Sequence, residues 1–262
     1  MRSIPLMTAF SILFSVSQAA STSPSVRSRL WRRNTYAVFG GDGTTAAGWP
    51  RQSDWMSFES LWELNEATIN SACTQFGQAN NSPPETAAVK SGLESASESS
   101  GIPKELLLAI MIQESKGCVR APTTPTHGGI RNAGLMQDFN GEATCNQGGS
   151  AKNPCPKETI AQMIMEGAGV NMKFGVMQAI QQSNAIDAGK YYQGARIYNS
   201  GSLDPTGNLG KGYGTPCYAS DITNRLIGWN GDVTPCDSNT IGQKKVSEKF
   251  VAGAIPGASR RA

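Results

Sequence analysis

The sequence contains, at residues 106–115, the stretch LLLAIMIQES, in which seven apolar residues are followed by glutamine, glutamate and serine. Pro103 precedes this stretch and Gly117 follows it, and these residue types favour the first turn and the C-terminal cap of a helix. Glu114 comes four residues after Ile110, so a helix places its carboxylate on an apolar face. Burial disfavours a charged carboxylate, so the pattern predicts the raised pKa that a general acid needs. The alternative is a helix-end residue whose carboxylate reaches solvent.

The composition is that of a globular protein with a real core, since 39% of the 262 residues are hydrophobic and 16% are charged. This length allows one large domain or two small ones. No strand pattern exceeds a few residues, whereas apolar residues recur at helical spacing in residues 54–72, 85–99, 157–182, 187–199 and 216–229. Two long polar loops, residues 118–133 and 140–156, separate these segments and are long enough to be functional walls. The sequence therefore predicts a mainly α fold with glycine-rich loops.

The six cysteines indicate disulfide bonds rather than a metal site. No two of them form a Cys-x-x-Cys pair and the sequence has one histidine, His127, so no metal ligand set is expected. Three disulfides are predicted, with the connectivity left open. The shortest local pairings are Cys145 with Cys155 and Cys217 with Cys236.

The N-terminus has the organisation of a secretion signal. Arg2 supplies a positive start, residues 4–16 are a short apolar run, and Ser17-Gln18-Ala19 is a small-x-small cleavage site. The run is too short to span a membrane, and no later stretch is long enough. We therefore predict a secreted protein with four parts: a signal peptide (1–19), a leader and arm (20–50) with processing after Arg33, a main domain (51–245) and a flexible tail (246–262).

The net charge of +3 is concentrated in the segment that such processing would remove. Residues 1–33 hold five arginines and no acidic residue, which leaves 18 of the 23 basic residues against 20 acidic ones in the remainder. A nearly neutral protein does not suggest nucleic acid or a membrane surface as a partner. It also lacks a strongly basic surface that would bind an anionic cell wall, and a monomer is expected.

Three short motifs follow one another along the chain, and together they carry a family resemblance. They are Glu114-Ser115 at the end of the apolar helix, then Gly134-Leu135-Met136-Gln137, then Tyr198-Asn199-Ser200-Gly201. In this order they resemble the motifs of goose-type lysozymes and lytic transglycosylases, glycoside hydrolase family 23. The segment Tyr218–Ile222 also looks like the closing helix of that family. The resemblance covers roughly residues 85–230 and implies a lysozyme-like helical domain whose glycine-rich loops wall a saccharide-binding cleft.

The resemblance assigns a role to each motif. Glu114 corresponds to the acid that protonates the leaving oxygen of a β-1,4 glycosidic bond. Gln137 and Met136 would lie at the cleft floor, where the amide of Gln137 faces the sugar. The hydroxyl of Tyr198 would bond the acid or an N-acetyl group, and Asn199 would bind the sugar. The alternative for Tyr198 is a buried aromatic residue whose hydroxyl is satisfied locally.

Three further residues are candidates with weaker arguments. Ser115 is expected beside the substrate, where it would support the orientation of Glu114. His127 lies in a Thr-Pro-Thr-His-Gly-Gly loop and is expected as a substrate contact rather than a catalyst. Goose-type lysozymes carry an acid two residues after the glutamine, whereas here Asp138 follows Gln137 directly. A shift of one residue along the chain turns a side chain away from the cleft, so Asp138 is only a possible second acid.

These observations favour an enzyme that needs no cofactor and acts on a polysaccharide. The resemblance implies cleavage of peptidoglycan between N-acetylmuramic acid and N-acetylglucosamine. Two reactions are compatible with Glu114 as the acid: attack on the broken bond's sugar by water, and attack by the C6 hydroxyl of the substrate itself. Two alternatives stay open: a glycosidase for chitin or chitosan, and a glycan-binding effector that keeps the groove without turnover.

Overall fold

The computed structural model describes residues 35–126 and 128–246 of the chain. The predicted signal peptide, the processing site after Arg33 and the candidate His127 lie outside these residues. So does the predicted tail, except for Val246.

The fold is mainly α, as predicted. The described part of the chain has seven α-helices: α1 (Phe58–Ser71), α2 (Pro83–Ser100), α3 (Lys104–Ser115), α4 (Lys157–Ala168), α5 (Val176–Gln181), α6 (Gly189–Ser200) and α7 (Tyr218–Leu226). Its strands are two or three residues long: β1 (Thr124–Pro125), β2 (Arg131–Ala133), β3 (Asp138–Phe139), β4 (Asn146–Gln147) and β5 (Ser150–Ala151). Strands β1, β2 and β3 form one antiparallel sheet, and β4 pairs with β5.

Helix α3 lies at the centre of the hydrophobic core. Residues 106–112 are each at most 3% exposed, and α3 packs against α1, α2 and α7. A helix that is apolar on every side is stable only when it is covered on every side. Its C-cap is Lys116, which adopts the left-handed conformation at φ 55°, and not Gly117 as the sequence suggested. Gly117 continues this turn at φ 86° and brings the chain close to Ile69 of α1.

The long helix predicted over residues 157–182 is wrong, because glycines divide it into α4 and α5. Gly169 adopts φ 93°, which L side chains rarely do, and a Cβ atom there would lie 2.1 Å from Oε1 of Gln178. The first predicted helix also begins later than expected. Ser57 caps α1 by accepting a hydrogen bond from the Ser60 N–H, so residues 52–54 form only a short 3-10 turn.

Residues 35–50, predicted as a loop or arm, are a loop that joins the main core. Phe39 and Trp49 are buried in the same hydrophobic cluster as α3. Asn224 of α7 holds the loop by bonding both the N–H and the carbonyl of Ala37. The boundary predicted at residue 51 therefore does not separate two cores.

Three disulfides connect the loops to the helices, and all six cysteines are paired. They are Cys73–Cys118, Cys145–Cys155 and Cys217–Cys236, so both local pairings suggested by the sequence are present. The first joins the segment after α1 to the segment after α3. Within the described residues, no helix combines the length and the apolar character needed to cross a membrane.

Candidate active site

A cleft of about 520 Å³ opens where the C-terminal ends of α3 and α6 meet the three-stranded sheet. This volume lies within the range of about 300–1,000 Å³ that is usual for ligand pockets. Glu114 is the one carboxylate among the described residues that line the cleft. The others are polar, aromatic or glycine: Thr124, Thr126, Asn132, Gln137, Phe139, Phe174, Gln182, Tyr198, Asn199, Ser200 and Gly201.

Glu114 is half-buried at the last turn of α3, and its pKa is raised to about 7. The cause is burial, because the core that covers α3 also removes water from around the carboxyl group. A hydrogen bond from Tyr218 acts in the opposite direction and lowers the pKa. At and below neutral pH a large fraction of Glu114 therefore carries a proton that it can donate into the cleft.

The hydroxyl that bonds Glu114 belongs to Tyr218, which we had not predicted as a site residue. Its Oη atom donates to Oε1 of Glu114 over 2.5 Å. Tyr218 is the first residue of α7, and packing of α7 against α3 brings the two side chains together. The sequence indicated the helix that contains Tyr218, but it gave no sign of which side chain would reach the acid.

Tyr198 lines the cleft as predicted, but its hydroxyl does not bond the acid. The Oη atom donates to the backbone carbonyl of Met136 over 2.9 Å, which is the local satisfaction we considered as the alternative. This bond ties the end of α6 to the turn that precedes β3. Tyr198 therefore positions the cleft floor, and its ring forms part of the cleft surface.

Asn199 also lines the cleft, and its side-chain oxygen has a structural role. Oδ1 accepts hydrogen bonds from the guanidinium of Arg196 over 3.1 Å and from the backbone N–H of Thr215 over 2.8 Å. These bonds fix the loop that leads into α7. If Asn199 binds a sugar, the group it has to offer is the amide nitrogen rather than the oxygen.

Gln137 occupies the predicted place on the cleft floor with its amide held on both sides. Its nitrogen donates to the carbonyls of Pro122 and Gly134, and its oxygen accepts from the hydroxyl of Thr124 over 2.8 Å. The backbone of Gln137 is left-handed at φ 50°. The side chain thus joins the sheet wall to the floor and presents a fixed polar edge to the cleft.

Asp138 does not line the cleft, so it is not placed to act as a second acid there. Gln137 and Phe139 face the cleft, and Asp138 between them points to the other side of β3, where it is 0% exposed. Burial, and then the neighbouring charge of Glu166, raise the pKa of Asp138 to about 8. Glu166 itself accepts hydrogen bonds from the N–H groups of Glu142 and Ala143 and from the side chain of Gln162. Asp138 is therefore a buried, largely protonated group under the cleft wall.

Met136 and Ser115 were predicted to contact the substrate, but both side chains are buried away from the cleft. Met136 is fully buried against Gly167 of α4 and contributes to the site only through its carbonyl. Ser115 is buried too, and its hydroxyl accepts from the N–H of Gly117 and so fixes the turn after Glu114. Neither side chain lines the cleft. The carboxylates of Glu142 and Asp204 are absent from the described lining.

An aromatic wall, which no sequence pattern indicated, lines the same cleft as Glu114. Phe139 packs edge-on against Phe174 at 6.0 Å, and Phe174 stacks on Tyr198 at 6.4 Å between ring centroids. All three rings line the cleft, and Phe139 is 40% exposed. Phe174 lies in the segment between α4 and α5, where glycines interrupt the predicted helix. This interruption allows the ring of Phe174 to reach the cleft.

Comparison with protein-family models, with curated proteins and with solved structures gave no match for this chain.

Proposed function

We propose that the protein is a lysozyme-like glycosidase that cleaves β-1,4 bonds between N-acetylated sugars, with Glu114 as the general acid. The observation that carries this proposal is the carboxyl group of Glu114, half-buried in an open cleft and with a pKa of about 7. Such a group can hold a proton near neutral pH and give it to a leaving oxygen. The order of the three motifs supports peptidoglycan as the substrate.

The rest of the cleft surface suits a sugar. Aromatic rings offer flat apolar faces, and the amides of Asn132 and Gln182 offer hydrogen bonds to hydroxyl and N-acetyl groups. Cation-rich sites are typical of phosphate or nucleic acid ligands, and no lysine or arginine is among the described lining residues. This combination favours a neutral polysaccharide strand.

The chemistry needs one carboxyl group in two successive roles. Protonated Glu114 gives its proton to the glycosidic oxygen while the bond from that oxygen to C1 breaks and the ring gains oxocarbenium character. The carboxylate that remains then accepts a proton from the hydroxyl that attacks C1, which returns Glu114 to its acid form. The attacking group is water in hydrolysis and the C6 hydroxyl of the same sugar in transglycosylation. Because Asp138 faces away from the cleft, we favour the routes that need no second carboxylate.

The test is the Glu114→Gln variant, assayed on purified peptidoglycan and on chitin with mass spectrometry of the released products. The amide keeps the shape of the side chain but has no proton to transfer, so release should fall by about 10²–10⁴-fold or more. Glu142→Gln is the matched control, because that carboxylate is exposed and outside the described cleft lining. Near-normal turnover by Glu114→Gln would rule out Glu114 as the acid.

The products distinguish the alternatives within the proposal. Reducing muropeptides indicate hydrolysis, and 1,6-anhydro products indicate attack by the C6 hydroxyl. Release from chitin alone would move the substrate to that polymer, and binding without release would favour the effector. The three disulfides fit the secreted location that we propose, because such bonds persist in oxidising compartments.

A further inference from the structure

We propose that Tyr213 forms an outer stacking subsite that extends the cleft past Asn199 and binds a longer stretch of the same glycan strand. The inference rests on the proposed function, because it names a second contact for the same saccharide. Tyr213 lies in the loop between α6 and α7, and it is not one of the site residues predicted from the sequence.

The loop is held rigidly, although its tip is in solvent. Arg196 of α6 is almost completely buried, and its guanidinium donates to the backbone carbonyls of Lys211, Tyr213 and Thr215. One buried cation thus fixes three successive parts of the loop. A binding residue on a fixed backbone loses little conformational freedom when a ligand arrives.

The same hydrogen bonds attach the loop to the cleft. Oδ1 of Asn199, a cleft-lining residue, accepts from both Arg196 and the N–H of Thr215. A Cβ atom added to Gly214 would lie 2.4 Å from that oxygen, so the backbone next to Tyr213 passes directly over Asn199. Gly214, the neighbour of Tyr213 in the sequence, therefore contacts Asn199 at the rim of the cleft.

Among the described residues, the side chain of Tyr213 makes no hydrogen bond or ring contact that would give it a structural role. Tyr213 is 85% exposed, more than any aromatic residue of the cleft wall, and it lies between Gly212 and Gly214, both with positive φ. A large aromatic side chain displayed on a fixed turn at the end of a saccharide cleft is suited to stack on the apolar face of a sugar ring. A glycan strand that leaves the cleft over Asn199 would meet this ring next.

The experiment measures binding without turnover, in the Glu114→Gln protein, by calorimetry with β-1,4-linked trimers and hexamers of N-acetylglucosamine. The trimer is expected to stay in the inner cleft, and the hexamer is long enough to continue past Asn199. Tyr213→Ala should weaken hexamer binding by about three- to tenfold, as expected for one aromatic contact, and should do so far less for the trimer. Tyr213→Phe keeps the ring and should retain most of the hexamer affinity. Ile186→Ala removes another side chain that is 98% exposed and is the matched control.

The outcomes separate this inference from the function on which it rests. If the Glu114→Gln protein binds both oligomers and Tyr213→Ala leaves the ratio of their affinities unchanged, the outer subsite is wrong and the proposed function stands. If Tyr213→Phe loses as much hexamer affinity as Tyr213→Ala, stacking is wrong as the cause. If neither oligomer binds, the outer subsite is wrong, whereas the proposed function is decided separately by product release from peptidoglycan.

Discussion

Replacing Tyr218 by Phe should move the alkaline limit of activity to higher pH. The hydroxyl of Tyr218 donates to Oε1 of Glu114 and stabilises the charged form, so the pKa of about 7 is a balance between burial and this bond. Removing the donor leaves burial unopposed, and the pKa of the acid rises. Because only the protonated form of Glu114 gives up a proton, activity in the wild type should fall as the pH rises through about 7.

The size of the shift follows from the hydrogen bond. A bond to a charged group contributes about 1.5–3 kcal/mol, and about 1.36 kcal/mol corresponds to one pKa unit. A tyrosine hydroxyl can also accept a bond from the protonated acid, which offsets part of that difference. We therefore expect the alkaline limb to rise by about one pH unit in Tyr218→Phe.

The assay is the initial rate on a soluble N-acetylated oligosaccharide from about pH 4 to about pH 9, fitted for its alkaline limb. Tyr198→Phe is the matched control, because it also removes a hydroxyl from the site, but one that bonds the carbonyl of Met136. Its limb should stay at the wild-type position even if its rate changes. An unmoved or lowered limb in Tyr218→Phe would refute the role of this bond, and a wild-type limb near pH 4.5 would refute burial as the cause.

Three further predictions concern groups outside the cleft. Asp138→Asn should change turnover only a few-fold. The wild type should lose thermal stability as the pH rises from about 4, the ordinary pKa of this carboxyl group, to about 8, its pKa in the folded protein, and the variant should not show this loss. Arg120→Met should lower the free energy of unfolding in urea by about 3–5 kcal/mol, because it leaves the buried carboxylate of Glu85 without its cation; an Arg120→Met/Glu85→Gln double variant should recover part of this. Alkylation of the unreduced protein should leave its mass unchanged, whereas any labelled thiol would contradict the three disulfides.

The sequence predicted the parts of the site that depend on local pattern. An apolar run with one glutamate at its end is enough to place Glu114 at the end of a buried helix. The motifs that contain Gln137, Tyr198 and Asn199 were expected in one cleft, and all three residues line it. The mainly α fold followed from helical periodicity in the same way.

What could not be predicted depends on the directions in which side chains point after packing. Tyr218 reaches Glu114 because α7 crosses α3, and no local signal in α7 distinguishes its first residue from any other. The oxygen of Asn199 is occupied by Arg196, a residue with an unremarkable place in its helix pattern. The break at Gly169 was missed because glycine in an amphipathic pattern lowers helix propensity without showing whether the helix ends.

The raised pKa of Glu114 and the stability of the core have the same structural origin. The side chains that make α3 apolar stabilise the fold and, at its last turn, remove the water that would otherwise keep the pKa of Glu114 at its ordinary value. Three features hold the turn after Glu114 in place: the hydroxyl of Ser115 accepts a hydrogen bond from the N–H of Gly117, Lys116 is left-handed, and Gly117 lies close to Ile69. Changes that loosen this turn should therefore admit water and lower the pKa of Glu114 before they unfold the protein. Loss of activity near neutral pH in such variants would come from an acid that has lost its proton, and activity should return when the pH is lowered.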